Sequence, residues 1–310
     1  GGRTVILVSH FLTEVIELSD TITILRDGKV VRTSPAVDEN EDRLIAAMLG
    51  RSIGRTYPTK QPPAADSPLA LIVKDLTATG VTSASLEVRC GEIVALAGLV
   101  GAGRSEFARA IFGAVPSSSG DSASGTDRLP GTPAGSIRQG ITMIPESRKD
   151  DGLMLRRPVR ENVSLASLPA LGRFGFVRRR LEKSRVRSAL GRVASESRLE
   201  TQPVALSGGN QQKLMFARAL LTEPRILIAD EPTRGIDVGA KRDLYELLVG
   251  LAASGVGILL ISNEMEEILG LAHRVVVMRA SRVVAELKGD QLTEEGILAA
   301  AFGAAPAFAG

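Results

Sequence analysis

Two short apolar runs, each ending in reactive residues, constrain this chain more than any other feature. Ile93-Val94-Ala95-Leu96-Ala97 leads into Gly98-Leu99-Val100-Gly101-Ala102-Gly103-Arg104-Ser105 and a helix-like stretch to Phe112. Further on, Ile226-Leu227-Ile228-Ala229 ends in Asp230-Glu231. Continuous apolar runs of this length between turn residues fit buried strands. Open α/β sheets place their chemistry at the carboxyl ends of such strands, where the Gly-rich loop and the acid pair both fall.

The Gly-rich loop has the spacing of a phosphate-binding loop, G-x-x-x-x-G-K-S/T, with Arg104 in place of the lysine. Its glycines let the backbone curl until its N–H groups face a phosphate, and the helix that follows adds its positive end. Ser105 stands where a hydroxyl would hold Mg²⁺. Arg104 keeps the charge but is bulkier and planar, so the exchange is not neutral. Read by itself, the loop could also be a strand-to-helix turn with no ligand.

Leu206-Ser207-Gly208-Gly209-Asn210-Gln211-Gln212-Lys213 opens another helix, which runs through Leu220 and ends at Glu223-Pro224. Ser207-Gly208-Gly209 makes a second anion-binding helix N-terminus. Ile141 to Pro145 reads as a strand, followed by Glu146-Ser147-Arg148. Residues 115–136, rich in Ser, Gly, Asp and Pro, read as a loop, with or without short edge strands. From Val159 to about Gln202 the pattern is helical and basic, dominated by Arg178-Arg179-Arg180, Lys183, Arg185 and Arg187. That basic face is either solvated or a contact face for an acidic or membrane-adjacent partner.

The N-terminal segment repeats the C-terminal one. Val5-Ile6-Leu7-Val8 predicts a buried strand, followed by a helix over 12–18 and a hairpin through Asp27-Gly28. A shift of 253 residues carries Ser9 onto Ser262, Glu14 onto Glu267, Leu18 onto Leu271, Arg26 onto Arg279 and Gly50 onto Gly303 without a gap. The period is that of a whole domain rather than a solenoid unit. The first copy's counterpart of the Gly98 loop would then lie about 150 residues upstream of Gly1. A start at Gly1-Gly2-Arg3, directly before an apolar run, fits a fragment. The expected organisation is residues 1–53 as the end of a first domain, a Pro-rich linker over 54–68, a second domain over 69–303 with its helical part at 159–205, and a tail at 304–310.

Composition removes several classes. The lone Cys90 excludes an intramolecular disulfide framework and a cysteine zinc site. A net charge of +3 and 3% aromatics with no Trp argue against a nucleic-acid partner. The apolar runs near 256–261 and 297–302 are far below the roughly 18 residues of a membrane span.

Taken together, Leu206–Lys213, the strand ending in Asp230-Glu231, and Gly235-Ile236-Asp237 resemble the ATPase domain of ABC transporters. Asn210–Lys213, Pro232–Lys241, Gly103-Arg104-Ser105 and Glu146-Ser147-Arg148 resemble more particularly the tandem ATPase subunits of ribose-, galactose- and xylose-type sugar importers. The resemblance covers essentially the whole chain. It implies an α/β P-loop NTPase core, with a mixed sheet and flanking helices, an antiparallel β part and a helical subdomain. It also implies a sandwich of two ATPase domains, each ATP lying between one domain's phosphate loop and the other's signature.

Carried over residue by residue, Gly98, Leu99, Val100, Gly101, Ala102, Gly103, Arg104 and Ser105 hold phosphate. Ser105 and Asp230 serve Mg²⁺, the latter through water, and Glu231 activates the attacking water. Ser207, Gly208, Gly209 and Asn210 serve the ATP of the other domain, and Asp237 lies on the loop between the sites. Implied partners are membrane permease subunits on the cytoplasmic face and, indirectly, an external sugar-binding protein.

Four positions depart from the family pattern. Arg104 replaces Lys, Glu146 replaces Gln, Asn263 replaces the switch His, and no Tyr or Phe lies between Tyr57 and Phe107 to stack on adenine. Losing one charge-stabilising donor costs on the order of 10²–10³ in rate, so the site on this phosphate loop is expected to hydrolyse slowly or only bind. His10 aligns with Asn263, so the first copy keeps the switch His. The expectation is an asymmetric pair, with the better site using His10 and this domain's signature. A soluble tandem ATPase acting on ribosomes and an inactive nucleotide-binding remnant are the competing readings. The chain alone is expected to turn over weakly or not at all.

Overall fold

The apolar runs lie side by side in a computed structural model that describes residues 4–9, 12–26, 29–40, 43–44, 47, 57–64, 66–125 and 127–303. The first elements are α1 (Leu12–Leu18), β1 (Thr21–Arg26) and β2 (Lys29–Pro35). Next come β3 (Leu69–Ala78), β4 (Val81–Arg89), β5 (Ile93–Ala97), α2 (Arg104–Phe112), β6 (Ser117–Ser124), β7 (Asp127–Arg128), α3 (Pro133–Arg138) and β8 (Ile141–Ile144). The middle holds α4 (Val159–Ser164), α5 (Leu168–Leu171), β9 (Gly172–Arg173), β10 (Phe176–Val177) and α6 (Arg179–Arg192). The last part holds α7 (Gly208–Leu221), β11 (Ile226–Asp230), α8 (Val238–Ala253), β12 (Gly257–Ile261), α9 (Met265–Leu271), β13 (Arg274–Arg279), β14 (Arg282–Lys288) and α10 (Glu294–Phe302).

The main sheet has the order β14-β13-β5-β12-β11-β8. Its strands are parallel except β14, which is antiparallel at the edge. Alternate residues feed two cores. Ala95, Ala229, Leu260 and Val277 face Phe216 of α7 and Leu248 of α8. Leu96, Ile228, Leu259 and Val276 face Phe107 of α2 and the antiparallel sheet β4-β3-β6-β7. A period of two with both faces buried explains why these strands read as unbroken apolar runs. Phe107 and Phe216 are fully buried, and truncating such a residue to Ala costs about 3–5 kcal/mol.

Three expectations need correction, the third, on Val5–Val8, being taken up with the repeat below. Ser117–Ser124 is an eight-residue strand between β3 and β7, not a loop. Its Ser- and Gly-rich composition is overridden by the ladder that β3 supplies. Residues 159–205 are not continuously helical. The two-residue strands β9 and β10 form a hairpin inside them, and no helix covers 193–202. There the Ser197 N–H donates to Ser195 Oγ, a local bond that competes with helix.

The helical region is pinned by buried charge. Arg160 Nη1 donates to both Glu182 oxygens at 3.0 and 2.9 Å, and Ser164 Oγ donates to the same carboxylate at 2.8 Å. Arg218 of α7 reaches across to the carbonyls of Gly152 and Asn162; burial pushes its guanidinium down to about 10.

The 253-residue shift matches element bounds as well as sequence. α1, β1 and β2 correspond residue for residue to α9, β13 and β14. A register shift at Ile24/Leu25 recurs at Val277/Met278. The apolar run before α1 differs. Val5, Ile6 and Val8 are 84, 88 and 92% exposed and form no strand, whereas their counterparts in β12 are fully buried. β12 has β5 and β11 on its two sides, and no described strand pairs with Val5–Val8.

The Pro-rich segment has no regular structure over 57–64, yet it is docked. The Tyr57 ring stacks on Tyr245 of α8 with centroids 5.1 Å apart. Lys60 Nζ donates to the carbonyls of Leu269 and Ala272 at the end of α9. His273 Nδ1 accepts from the Ile93 N–H, which leaves its Nε2–H to donate to Gln61 O at 2.8 Å.

Candidate functional site

Because β5, β12 and β11 are adjacent and parallel, their carboxyl ends bring three segments together: the loop after Ala97, Ser262-Asn263, and Asp230-Glu231. In the loop, Gly98, Gly101 and Gly103 have φ of 150°, 82° and 95°. A Cβ on Gly98 would collide with the Met278 carbonyl, and one on Gly103 with the Gly80 carbonyl. Close approach therefore demands glycine at both ends of the curl. Ala102 is buried, while Leu99 and Val100 form an exposed tip. The curl opens directly onto the N-terminus of α2, an arrangement suited to an anion.

Ser105, in the first turn of α2, donates to Asp230 Oδ1 at 3.1 Å. Asp230 is fully buried, and its Oδ2 has no partner among the described residues. Burial pushes its carboxyl up to about 6, against the opposing effect of the Ser105 hydrogen bond. Glu231 is also buried, with Oε1 unpartnered among the described residues. Burial pushes it up to about 7, with Arg104 pulling the other way. Glu231 has φ 49°, a strained conformation for a residue with a side chain. The Ile261 carbonyl, which accepts its N–H at 2.9 Å, helps hold it there.

Arg104 is only 7% exposed. Its Nη1 donates to the Ser262 carbonyl at 2.9 Å and its Nη2 to Asn263 Oδ1 at 2.6 Å. The guanidinium is thus turned inward, onto the residue that aligns with His10.

A second group forms around the signature. Ser207 caps α7, its hydroxyl accepting from the Asn210 N–H at 3.3 Å, and Asp237 caps α8, accepting from the Ala240 N–H at 3.0 Å. A Cβ on Gly209 would press on Ala240 and Ile236, so the signature abuts the Asp237 turn. Arg148 donates to the carbonyls of Arg234 and Gly235 at 3.1 and 3.2 Å, and Gly208 packs beside its guanidinium. Glu146 pairs with Arg234. No hydrogen bond among the described residues joins Ser207–Asn210 to the Gly98–Ser105 loop or to the acid pair. His10 lies outside the described residues.

Several participants carried no role in the sequence. Arg148 and Arg234 stood inside quoted motifs without a function. Glu267 is fully buried, accepts from Thr233 Oγ1 at 2.7 Å, and is raised by burial; its only signal was the alignment with Glu14. The Tyr57–Tyr245 stack had none, since nothing local links residues so far apart. A groove of about 1040 Å³ separates the core from the helical region, lined by Arg109, Met143, Leu165, Leu171, Leu181 and Leu221 among others.

This fold, with its glycine curl, acid pair and capped signature, is that of an ATP-binding cassette. Residues 81–234 match the profile of the ABC transporter family, and the chain belongs to that family. It is 42% identical over 309 residues to the ribose import ATP-binding protein RbsA 2 of Streptomyces avermitilis, covering 99% of this chain and 61% of that protein. Over 305 residues it is 44% identical to the ribose import ATP-binding protein RbsA 3 of Rubrobacter xylanophilus, covering 97% and 61%. The chain therefore spans about three-fifths of the length of these curated relatives. Among solved structures, the ADP conformation of MJ1267, an ATP-binding cassette of an ABC transporter, has a TM-score of 0.64 at 19% identity, covering 76% of this chain and 99% of that one. The cassette MJ0796 bound to ADP and Pi, a dimer, has a TM-score of 0.61 at 21% identity, covering 70% and 98%. At such identity these two report the fold.

Proposed function

We propose that this chain belongs to the ATP-binding subunit that energises import of a monosaccharide through a membrane permease. The observation that carries the reading is the convergence of Ser105, Asp230, Glu231 and Arg104 at the ends of β5, β11 and β12. ATP phosphates would rest on the Gly98–Ser105 curl. The site fits Mg²⁺, because Asp230 keeps a buried, unpartnered oxygen beside Ser105 Oγ and Mg²⁺ is ordinarily held by one or two carboxylates with phosphates and water. When bound, it would neutralise charge developing on the phosphates. Glu231, its carboxyl raised to about 7, is suited in its ionised form to take a proton from water as the water oxygen adds to the γ-phosphorus and ADP leaves.

Ser207–Asn210 and Asp237 serve the nucleotide of a paired ATPase domain. Residues 1–53 belong to the first domain of a tandem pair, and 69–303 form the second. The inward-turned Arg104 and the Asn263 at the switch position make the site on this phosphate loop the slow one. The site served by His10 and this signature is the faster. The groove receives a permease helix, and the subunit sits peripherally on the cytoplasmic face of the membrane, with the sugar-binding protein acting from the other side. No helix among the described residues is long and apolar enough to cross the membrane itself.

The test is reconstitution of the full-length subunit with its permease. Monosaccharide-stimulated hydrolysis is expected to vanish with Ser207→Arg and to fall less than about tenfold with Arg104→Ala. Equal loss in both variants overturns the asymmetry; co-purification with ribosomes instead of the permease overturns the transport reading. The 310-residue chain alone should show little turnover, and robust Mg²⁺-dependent turnover from it would count against the paired site.

A further inference from the structure

We propose that the β9–β10 hairpin and the first half of α6 form a contact surface for an anionic lipid bilayer. Residues 172–192 hold eight Lys or Arg against one acid, Glu182, whereas the whole chain nets only +3. Glu182 is buried against Arg160 and projects no negative charge outward. Arg178, Arg179, Arg180, Lys183, Arg185 and Arg187 are all exposed. Lys183 and Arg185 have surface acids at 3.9 and 3.3 Å, Glu200 and Glu223. Arg179 lies 3.6 Å from the buried Glu182. Arg180 and Arg187 have no ion pair among the described residues.

Beside this charge stand two largely exposed aromatic rings. Phe174 is 86% and Phe176 79% exposed. Phe176 pairs with Arg173 across the hairpin, and the two turn residues, Phe174 and Gly175, have φ of 51° and 81°. That is the two-residue turn that right-twisted hairpins prefer, but a bulky aromatic at positive φ is strained there. The hairpin thus holds an exposed apolar ring at a positive-φ turn position. A face that is only acidic would satisfy the guanidiniums and leave both rings in water. A bilayer surface takes both, with rings in the headgroup boundary and basic side chains on lipid phosphates. The patch also continues the groove, because Arg178, Leu181 and Arg185 line its lip. The orientation toward the membrane rests on the groove receiving a permease helix.

The test uses the 310-residue chain and permease-free vesicles of phosphatidylcholine, with or without one-third phosphatidylglycerol, read by co-sedimentation. Association is expected to be at least about tenfold tighter with the anionic vesicles and to weaken as salt rises. Each basic residue near an anionic surface contributes about a fivefold change in partitioning, so Arg179→Glu/Arg180→Glu/Arg187→Glu should lower it about a hundredfold. The corresponding Lys variants should retain it, which separates charge from folding. Phe174→Ser/Phe176→Ser should lower it about tenfold with nucleotide binding intact. Equal binding to both vesicle types, or full binding by the Glu variant, overturns the proposal. A second arm uses neutral vesicles that carry the permease: association that requires it and depends on these arginines would overturn the proposal and assign the patch to an acidic protein face. Loss of sugar-stimulated hydrolysis with vesicle binding preserved would remove the transport reading and leave the lipid surface standing.

Discussion

The guanidinium of Arg104 donates to Asn263 Oδ1 at 2.6 Å, so two of the four departures from the family pattern are a single contact. A buried guanidinium needs acceptors, and Asn263 with the Ser262 carbonyl supplies two. The substitutions therefore belong together physically. In a double-mutant cycle on urea unfolding with Arg104→Lys and Asn263→Ala, a coupling of about 1–3 kcal/mol is expected for a hydrogen bond to a charged group. Additive effects within experimental scatter would mean that the contact carries no energy.

The acid pair sets a pH dependence. Glu231 rises from 4.5 to about 7 in the folded chain, so folded molecules hold more protons than unfolded ones across that interval, and stability falls as pH rises through it. Glu231→Gln has no charge to desolvate. In the presence of a chelator it should be more stable than the parent at pH 8 by about 2–3 kcal/mol, and the gap should close toward pH 4.5. A gap that stays constant with pH would show that Glu231 does not titrate in this window.

The Arg160–Glu182 pair should behave as a buried charge pair. Glu182→Ala removes the buried partner of a guanidinium that is 7% exposed, leaving it Glu161 and Glu200 at 3.3 Å, and is expected to cost about 3 kcal/mol of unfolding free energy. Arg160→Met with Glu182→Leu removes both charges and should recover most of that loss. Equal destabilisation in the double variant would place the cost in packing rather than charge.

Gly270 separates helix propensity from packing. In an open helix, Gly→Ala gains up to about 1 kcal/mol. Here a Cβ would strike the Tyr57 ring, so Gly270→Ala should destabilise by about 1–3 kcal/mol and raise amide exchange over 57–64. Adding Tyr57→Ala should restore the helix gain. A stabilising Gly270→Ala with unchanged exchange would show that the 57–64 segment is not held by the ring.

The fold was legible wherever one residue type satisfied both local and tertiary demands. Unbroken apolar runs marked the central strands because both sheet faces are buried, and the glycine spacing marked the curl because two carbonyls leave no room for a Cβ. Ser117–Ser124 was not legible, since its strand state comes from β3 rather than from its own residues. The acid pair was visible as residues, but its raised affinity for protons comes from burial that only assembly creates. The inward turn of Arg104 was equally hidden, because Asn263 lies far away in sequence.

The signature helix α7 has one further consequence. Ser207 and Gly208 stand at its first turn, while Arg218 and Leu221, at its other end, line the groove. Fourteen helical residues make a rod of about 21 Å, gripped along its length by a close-packed core. A load applied in the groove is therefore delivered at the signature by translation or tilt of one stiff body. On the proposed reading, the stroke available to the nucleotide interface is set by how far that rod can pivot.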